Sequence, residues 1–171
     1  MMFIDYANNK IEVDGCPTCA FIRGEFSLPC GEIYQDKICV INQDWELPIN
    51  GFIVVSPIKC VERFDELKKE ERAHIFEMVN KVISILRKND ICKMFNVLFE
   101  EKINRHLHIW IQPRDGWNEL GIDPTKDIGQ YQQYALTKLK TNENFEAIKK
   151  TVKMLGKELD LERNHQTKFA F

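Results

Sequence analysis

Asn104-Arg105-His106-Leu107-His108-Ile109-Trp110-Ile111-Gln112-Pro113-Arg114 decides how this chain is read. Polar and aromatic side chains alternate with apolar ones until a proline stops the run, which is strand periodicity. In an extended chain residues two apart share a face, so His106, His108, Trp110 and Gln112 point one way and Leu107, Ile109 and Ile111 point into a core. Two histidines thus stand side by side. Neutral imidazoles so placed can divide the roles of nucleophile, base and metal ligand between them. The same pattern also fits a polar pair on a solvated sheet.

Working outward, Phe52-Ile53-Val54-Val55-Ser56 reads as a buried strand stopped by Pro57, and Lys37-Ile38-Cys39-Val40-Ile41-Asn42 as another. With the loop at Pro48, Asn50 and Gly51 between them, they form an antiparallel pair at the middle of a sheet. Cys30-Gly31 reads as a turn into Glu32 to Asp36, and Met94 to Phe99 as a further strand. From Asp65 to Lys88, apolar residues recur at helical spacing, acidic residues come early and Arg87-Lys88 late, so a long amphipathic helix packs on the sheet. Two further helices are expected at 130–140 and 145–159. Cys16-Pro17-Thr18-Cys19 has the spacing of two thiolates on one tetrahedral zinc or of a redox pair. The redox reading requires a preceding strand and a helix N-terminus at the first thiol, and the sequence signals neither.

The chain has 171 residues, 44% hydrophobic and 29% charged, with a formal charge of −2. That length buries roughly two-thirds of the unfolded surface and suits a single domain. The charge gives no basis for general nucleic-acid binding, so any phosphate site is local. No apolar run approaches the roughly 20 residues that span a bilayer, and the start has no basic segment or cleavage pattern, so the expected location is cytoplasmic and away from the membrane. Six cysteines with one close pair read as reduced thiols and metal ligands.

The histidine strand resembles the motif of the histidine triad (HIT) superfamily of nucleotide hydrolases and transferases, His-x-His-x-His followed by two apolar residues, with Trp110 in the third histidine's place. Zinc-bearing members resemble this chain further. In them a Cys-x-x-Cys leads through a Tyr-x-Asp turn to a strand ending in a ribose-binding Asp, and a Gly then opens an apolar strand ending Pro-Lys-x-His. Tyr34, Asp36, Asp44, Gly51 and Pro57 fall at that spacing, and Cys60 occupies the position of the zinc-binding histidine. Thiolate replaces imidazole there without changing the tetrahedral preference. The resemblance covers about 16–114.

It implies an α+β fold, an antiparallel sheet of about five strands with the long helix packed on it, plus a C-terminal helical extension over about 118–171 that covers the site or makes a subunit contact. It implies a structural zinc on Cys16, Cys19, Cys60 and His106, and His108 as the nucleophile of a nucleotide hydrolase or nucleotidyl transferase. The substrate would be a nucleotide or other nucleoside phosphate, cleaved at the α-phosphate through a covalent nucleotidyl-histidine. Asp44 would hold the ribose. Relatives carry a Gly-rich phosphate loop before the motif; this connection is short, so Asn104, Arg105 and Arg114, with Gln112 on the same strand face, are the candidates for substrate contacts. Family members are commonly dimers. Trp110 offers one N–H and no titratable proton, so it can stack or donate but cannot serve as general acid. A HIT-like nucleotide-binding protein with little turnover, or a zinc-stabilised interaction domain, therefore stand beside the enzyme reading.

Overall fold

The computed structural model describes residues 1–101 and 106–168, with side chains through Asp160 in the last helix. Five antiparallel strands form the main sheet: β3 (Glu32–Gln35), β4 (Cys39–Gln43), β5 (Ile53–Pro57), β6 (Phe95–Glu100) and β7 (His108–Pro113). Their order is β3-β4-β5-β7-β6. The apolar runs of β4 and β5 thus occupy central positions, and every residue of both is buried. The α+β architecture is the one expected.

Alternation along β7 separates two faces. Leu107, Ile109 and Ile111 enter a core with Ile41, Ile53 and Val55 beneath α2 (Lys69–Lys88), whose Ile75, Val79, Val82 and Leu86 face them. The opposite face carries His108 and Trp110. The helix does not run from Asp65 as expected. A short 3-10 turn covers Phe64–Glu66, Lys68 is extended, and its N–H donates to the Glu71 carboxylate at 2.6 Å, which restarts the helix.

Two elements escape sequence periodicity. A hairpin of three-residue strands, β1 (Met2–Ile4) and β2 (Lys10–Glu12), precedes the thiol pair. Glu32 to Gln35, which the sequence placed after the Cys30-Gly31 turn without assigning it a strand, pairs as an edge strand, and a further turn follows it. There Asp36 Oδ1 accepts the N–H groups of Ile38 and Cys39 at 2.7 and 2.9 Å, and Oδ2 lies 2.7 Å from His74 Nε2. Burial alone would raise the Asp36 pKa, but those N–H donors and His74 hold it below its ordinary value.

The C-terminal part forms α3 (Ile128–Lys138) and α4 (Asn142–Lys168). Ile148, Val152, Leu155 and Leu159 of α4 join the core under the sheet. Gly156 permits this approach: a Cβ there would stand 2.9 Å from the Ile33 carbonyl oxygen. On the other face, α3 supplies Tyr131 and Ala135 to a second cluster with Phe52, Trp117 and Ile122, against which Trp110 packs. No helix among the described residues is long and apolar enough to cross a membrane.

Candidate active site and metal centre

Pro17 at the first position fixes the start of α1 (Pro17–Ile22), and Cys16 is its N-cap, its sulfur accepting from the Cys19 N–H at 3.5 Å. The helix start at the first thiol, not signalled by the sequence, is therefore present. What surrounds the pair, however, is a ligand set. The sulfurs of Cys16, Cys19 and Cys60 and a ring nitrogen of His106 all lie within 4.8 Å of one another. His106 Nδ1 is 3.5 Å from both Cys16 Sγ and Cys19 Sγ. Its Nε2 stands 2.7 Å from the Pro57 carbonyl, to which it donates, so the lone pair is on Nδ1 and faces the thiols. The Leu107 N–H donates to the Val61 carbonyl at 2.8 Å and anchors this end of the histidine segment beside Cys60.

Electrostatics favour a cation here. Burial, then the neighbouring Cys60 and Cys16 thiols, push the Cys19 thiol up to about 12, because a second thiolate in one desolvated corner is costly. Burial, with His108 adding to it, lowers the His106 pKa and keeps the ring neutral. Three sulfurs and one neutral imidazole nitrogen suit a tetrahedral thiophilic ion, and the fixed Nε2–H tautomer suits ligation through Nδ1.

Beside this corner lies a cavity of about 490 Å³, lined by residues that include Thr18, Asn42, Asp44, Trp45, Ser56, Glu100, His106, His108 and Trp110. The His108 and His106 rings are nearly parallel with centroids 6.2 Å apart. His108 Nε2 lies 2.9 Å from Thr18 Oγ1, and its Nδ1 faces Glu100 Oε2 at 3.6 Å across the β6–β7 pair. Asp44 Oδ1 accepts from the N–H groups of Glu46 and Leu47 at 3.0 and 2.8 Å. Burial, reinforced by the charges of Glu46 and Glu100 and opposed by those two N–H donors, pushes the Asp44 carboxyl up to about 7. Trp110 meets Phe52 edge-on with ring centroids 5.5 Å apart.

The structure therefore gathers Cys16, Cys19, Cys60 and His106 into one corner and places Asp44, His108 and Trp110 on the adjoining cavity wall. It does not bring Gln112 and Arg114 there. Gln112 is buried, accepts from Asn96 Nδ2 at 2.9 Å and reaches the Pro124 carbonyl at 3.4 Å. Arg114 donates to Asn96 Oδ1 at 3.1 Å and lies 3.7 Å from Asp123. Both satisfy the loop that follows β7. Asn104 and Arg105 lie outside the described residues. Sequence reasoning passed over Thr18, Ser56 and Glu100, and also Ile128 and Gln132, which bring the C-terminal part into the cavity wall. Only the position of Thr18, between the two cysteines of the Cys-x-x-Cys pair, offered a signal.

No protein-family model matches the chain. An uncharacterized HIT-like protein of Methanocaldococcus jannaschii is 29% identical over 104 residues, 58% of this chain and 78% of that protein. A HIT family protein from Bacillus anthracis is 25% identical, with a TM-score of 0.56 over 82% of this chain and 96% of that one. A zinc-bound histidine triad family protein from Mycobacterium smegmatis superposes with a TM-score of 0.61 over 86% of this chain and 96% of that one. At 15% identity that last likeness speaks to fold alone. A five-stranded antiparallel sheet with a helix on one face and a histidine-bearing cavity on the other is the HIT fold. In sequence and fold together, the chain is similar to HIT superfamily proteins.

Proposed function

We propose that the protein is a nucleotide hydrolase or nucleotidyl transferase acting at the α-phosphate of a nucleoside phosphate derivative. The observation that carries this reading is the division of labour between the two strand histidines. His106 turns its lone pair toward the thiols, whereas His108 presents its ring in the cavity. In the proposed reaction the His108 Nε2 lone pair forms a bond to phosphorus, and the leaving oxygen departs with its electron pair. Water or an acceptor phosphate then forms a new P–O bond, and the P–N pair returns to Nε2. Asp44 accepts from the ribose hydroxyls, its Oδ2 being free of the turn that occupies Oδ1.

Cys16, Cys19, Cys60 and His106 would hold one structural zinc, whose chemistry here is to hold the four ligands in a tetrahedron. Asn104 and Arg105 remain proposed phosphate contacts from the sequence; Gln112 and Arg114 are left out of the proposed site, engaged as they are elsewhere. A second copy is the partner this reading expects. Val97 and Phe99 on the edge strand β6 are exposed beside Phe76. Free thiols at the metal corner fit a reducing, cytoplasmic setting, and the core about 16–114 with its extension is read as one domain.

A panel of nucleoside phosphates assayed with wild type and His108→Asn tests the reading. Turnover is expected in wild type and lost in the variant, with nucleotide affinity and metal content retained; retained turnover would refute the nucleophile assignment. Packing of Trp110 into the aromatic cluster favours a second reading, a nucleotide-binding protein with little turnover. Calorimetric titration beside the same assay separates the two, because such a protein binds nucleotide and releases no product.

A further inference from the structure

A phosphoryl group drawn into this cavity needs hydrogen-bond donors, and among the described residues no lysine or arginine side chain lines it. Its acidic side chains are Asp44, Glu46 and Glu100. The neutral donors that line it are therefore of interest, and one of them meets the reacting atom. Thr18 is only 3% exposed, yet it lines the cavity and holds its hydroxyl oxygen 2.9 Å from His108 Nε2. Its place is fixed from both sides, because it is the second residue of α1 and is flanked by Cys16 and Cys19 of the thiol corner.

The direction of that hydrogen bond follows from the other end of the ring. His108 Nδ1 faces the Glu100 carboxylate at 3.6 Å, so the tautomer with its proton on Nδ1 is the one its surroundings favour. Nε2 then carries the lone pair, and Thr18 Oγ–H donates to it. Without substrate the hydroxyl thus occupies the line along which phosphorus must approach. When phosphorus takes that line, the hydroxyl is displaced sideways but stays about 3 Å from the attacking nitrogen, within ordinary hydrogen-bond reach. In an in-line displacement the atoms at that height are the three equatorial oxygens of phosphorus. The leaving oxygen lies on the far side.

We propose that Thr18 is a catalytic hydrogen-bond donor to the equatorial phosphoryl oxygens, with its hydroxyl held on His108 Nε2 until substrate displaces it. The proposal rests on the reading of His108 as nucleophile. In the first step the Nε2 pair forms the N–P bond, the P–O bond to the leaving group breaks with its pair on the departing oxygen, and Thr18 keeps its proton while donating a hydrogen bond. In the second step water oxygen bonds to phosphorus, the N–P pair returns to Nε2, and the proton of water passes to solvent. The same donor serves both steps, because the equatorial oxygens are common to both.

Thr18→Val removes the hydroxyl at nearly constant volume, and Thr18→Ser restores it. Loss of one such donor typically lowers kcat by about 10²–10³. That loss is expected in Thr18→Val by a common factor for substrates with good and poor leaving groups, with Thr18→Ser within about fivefold of wild type and metal content unchanged. Equal activity in Thr18→Val and wild type, equal impairment of the valine and serine variants, or a deficit confined to poor leaving groups each overturns the proposal. Orthovanadate, which presents equatorial oxygens around a five-coordinate centre, gives a readout without turnover. Calorimetry is expected to show at least roughly tenfold weaker binding in Thr18→Val and near wild-type binding in Thr18→Ser. Equal binding in Thr18→Val and wild type, or none in wild type, overturns it. Should Thr18→Val fold poorly, Thr18→Ala takes its place in both arms. Turnover surviving in His108→Asn would refute the nucleophile reading, whereas the orthovanadate comparison reports on Thr18 itself.

Discussion

The two walls that meet at His108 are built on opposite principles. On one side, three thiols and an imidazole crowd into a corner where burial disfavours the charged forms of Cys19 and His106, a donor set that suits a cation. On the other, Trp110 leans on Phe52, and behind it Trp117 and Tyr131 pack with ring centroids 4.2 Å apart, an arrangement complete in itself. One wall has the donor set for a partner and the other does not. The nucleophile candidate stands between a side that metal content can tune and a side that only mutation can.

The largest expected effect lies on the thiol wall. Apparent binding energies of structural zinc sites are on the order of 10 kcal/mol, so a chelator or Cys60→Ser should lower both metal content and melting temperature visibly. Elemental analysis with a thermal melt checks this. Unchanged values in Cys60→Ser would place Cys60 outside the metal site and leave both walls self-sufficient.

Next comes the aromatic wall. Trp110→His should give the cavity a titratable donor, and general acid help is worth about 10²–10⁴ in rate where the leaving group is poor. The measurement is the rate ratio between a good and a poor leaving group in wild type and variant. A ratio that falls in the variant sharpens the contrast between the walls; an unchanged ratio makes Trp110 a packing residue alone.

The smallest effect belongs to the floor between them. The folded Asp44 carboxyl sits near pH 7, above its ordinary value of 3.8, so the folded state holds this proton more tightly than the unfolded chain does. The associated stability is fully present below about pH 4 and is lost as pH rises through about 7. Thermal melts of wild type and Asp44→Asn across that window should therefore diverge, with wild type losing stability relative to the variant as pH rises. Parallel curves would show that Asp44 titrates at an ordinary value.

The sequence carried the central strands, the α2 helix and the whole thiol–imidazole corner. Long apolar runs leave residue-level signals, whereas Cys60 and His106 were legible through the family resemblance, in which Cys60 stands at the position of a zinc-binding histidine. The β1–β2 hairpin left no such signal, since three residues are too few for a period to show. The α1 start was hidden because cysteine is not among the usual N-cap residues. Alternation placed Gln112 on the His108 face, but it cannot reveal that the loop through Asp123 and Pro124 folds over that end of the strand. The contacts of His108 with Thr18, 90 residues away in the chain, and with Glu100 across a strand pair arise only from tertiary closure.

The cavity wall also has an optical consequence. Of the three tryptophans, Trp45 and Trp110 line the cavity, and Trp117 is buried in the cluster behind it. The Trp45 indole already stacks on Phe3 at 5.5 Å between centroids, and Trp110 stands on the strand that carries His108. A base or phosphate entering the cavity changes the solvent and polarity around two emitters and leaves the third as an internal standard. The chain thus contains its own fluorescent reporter of occupancy, readable without a label.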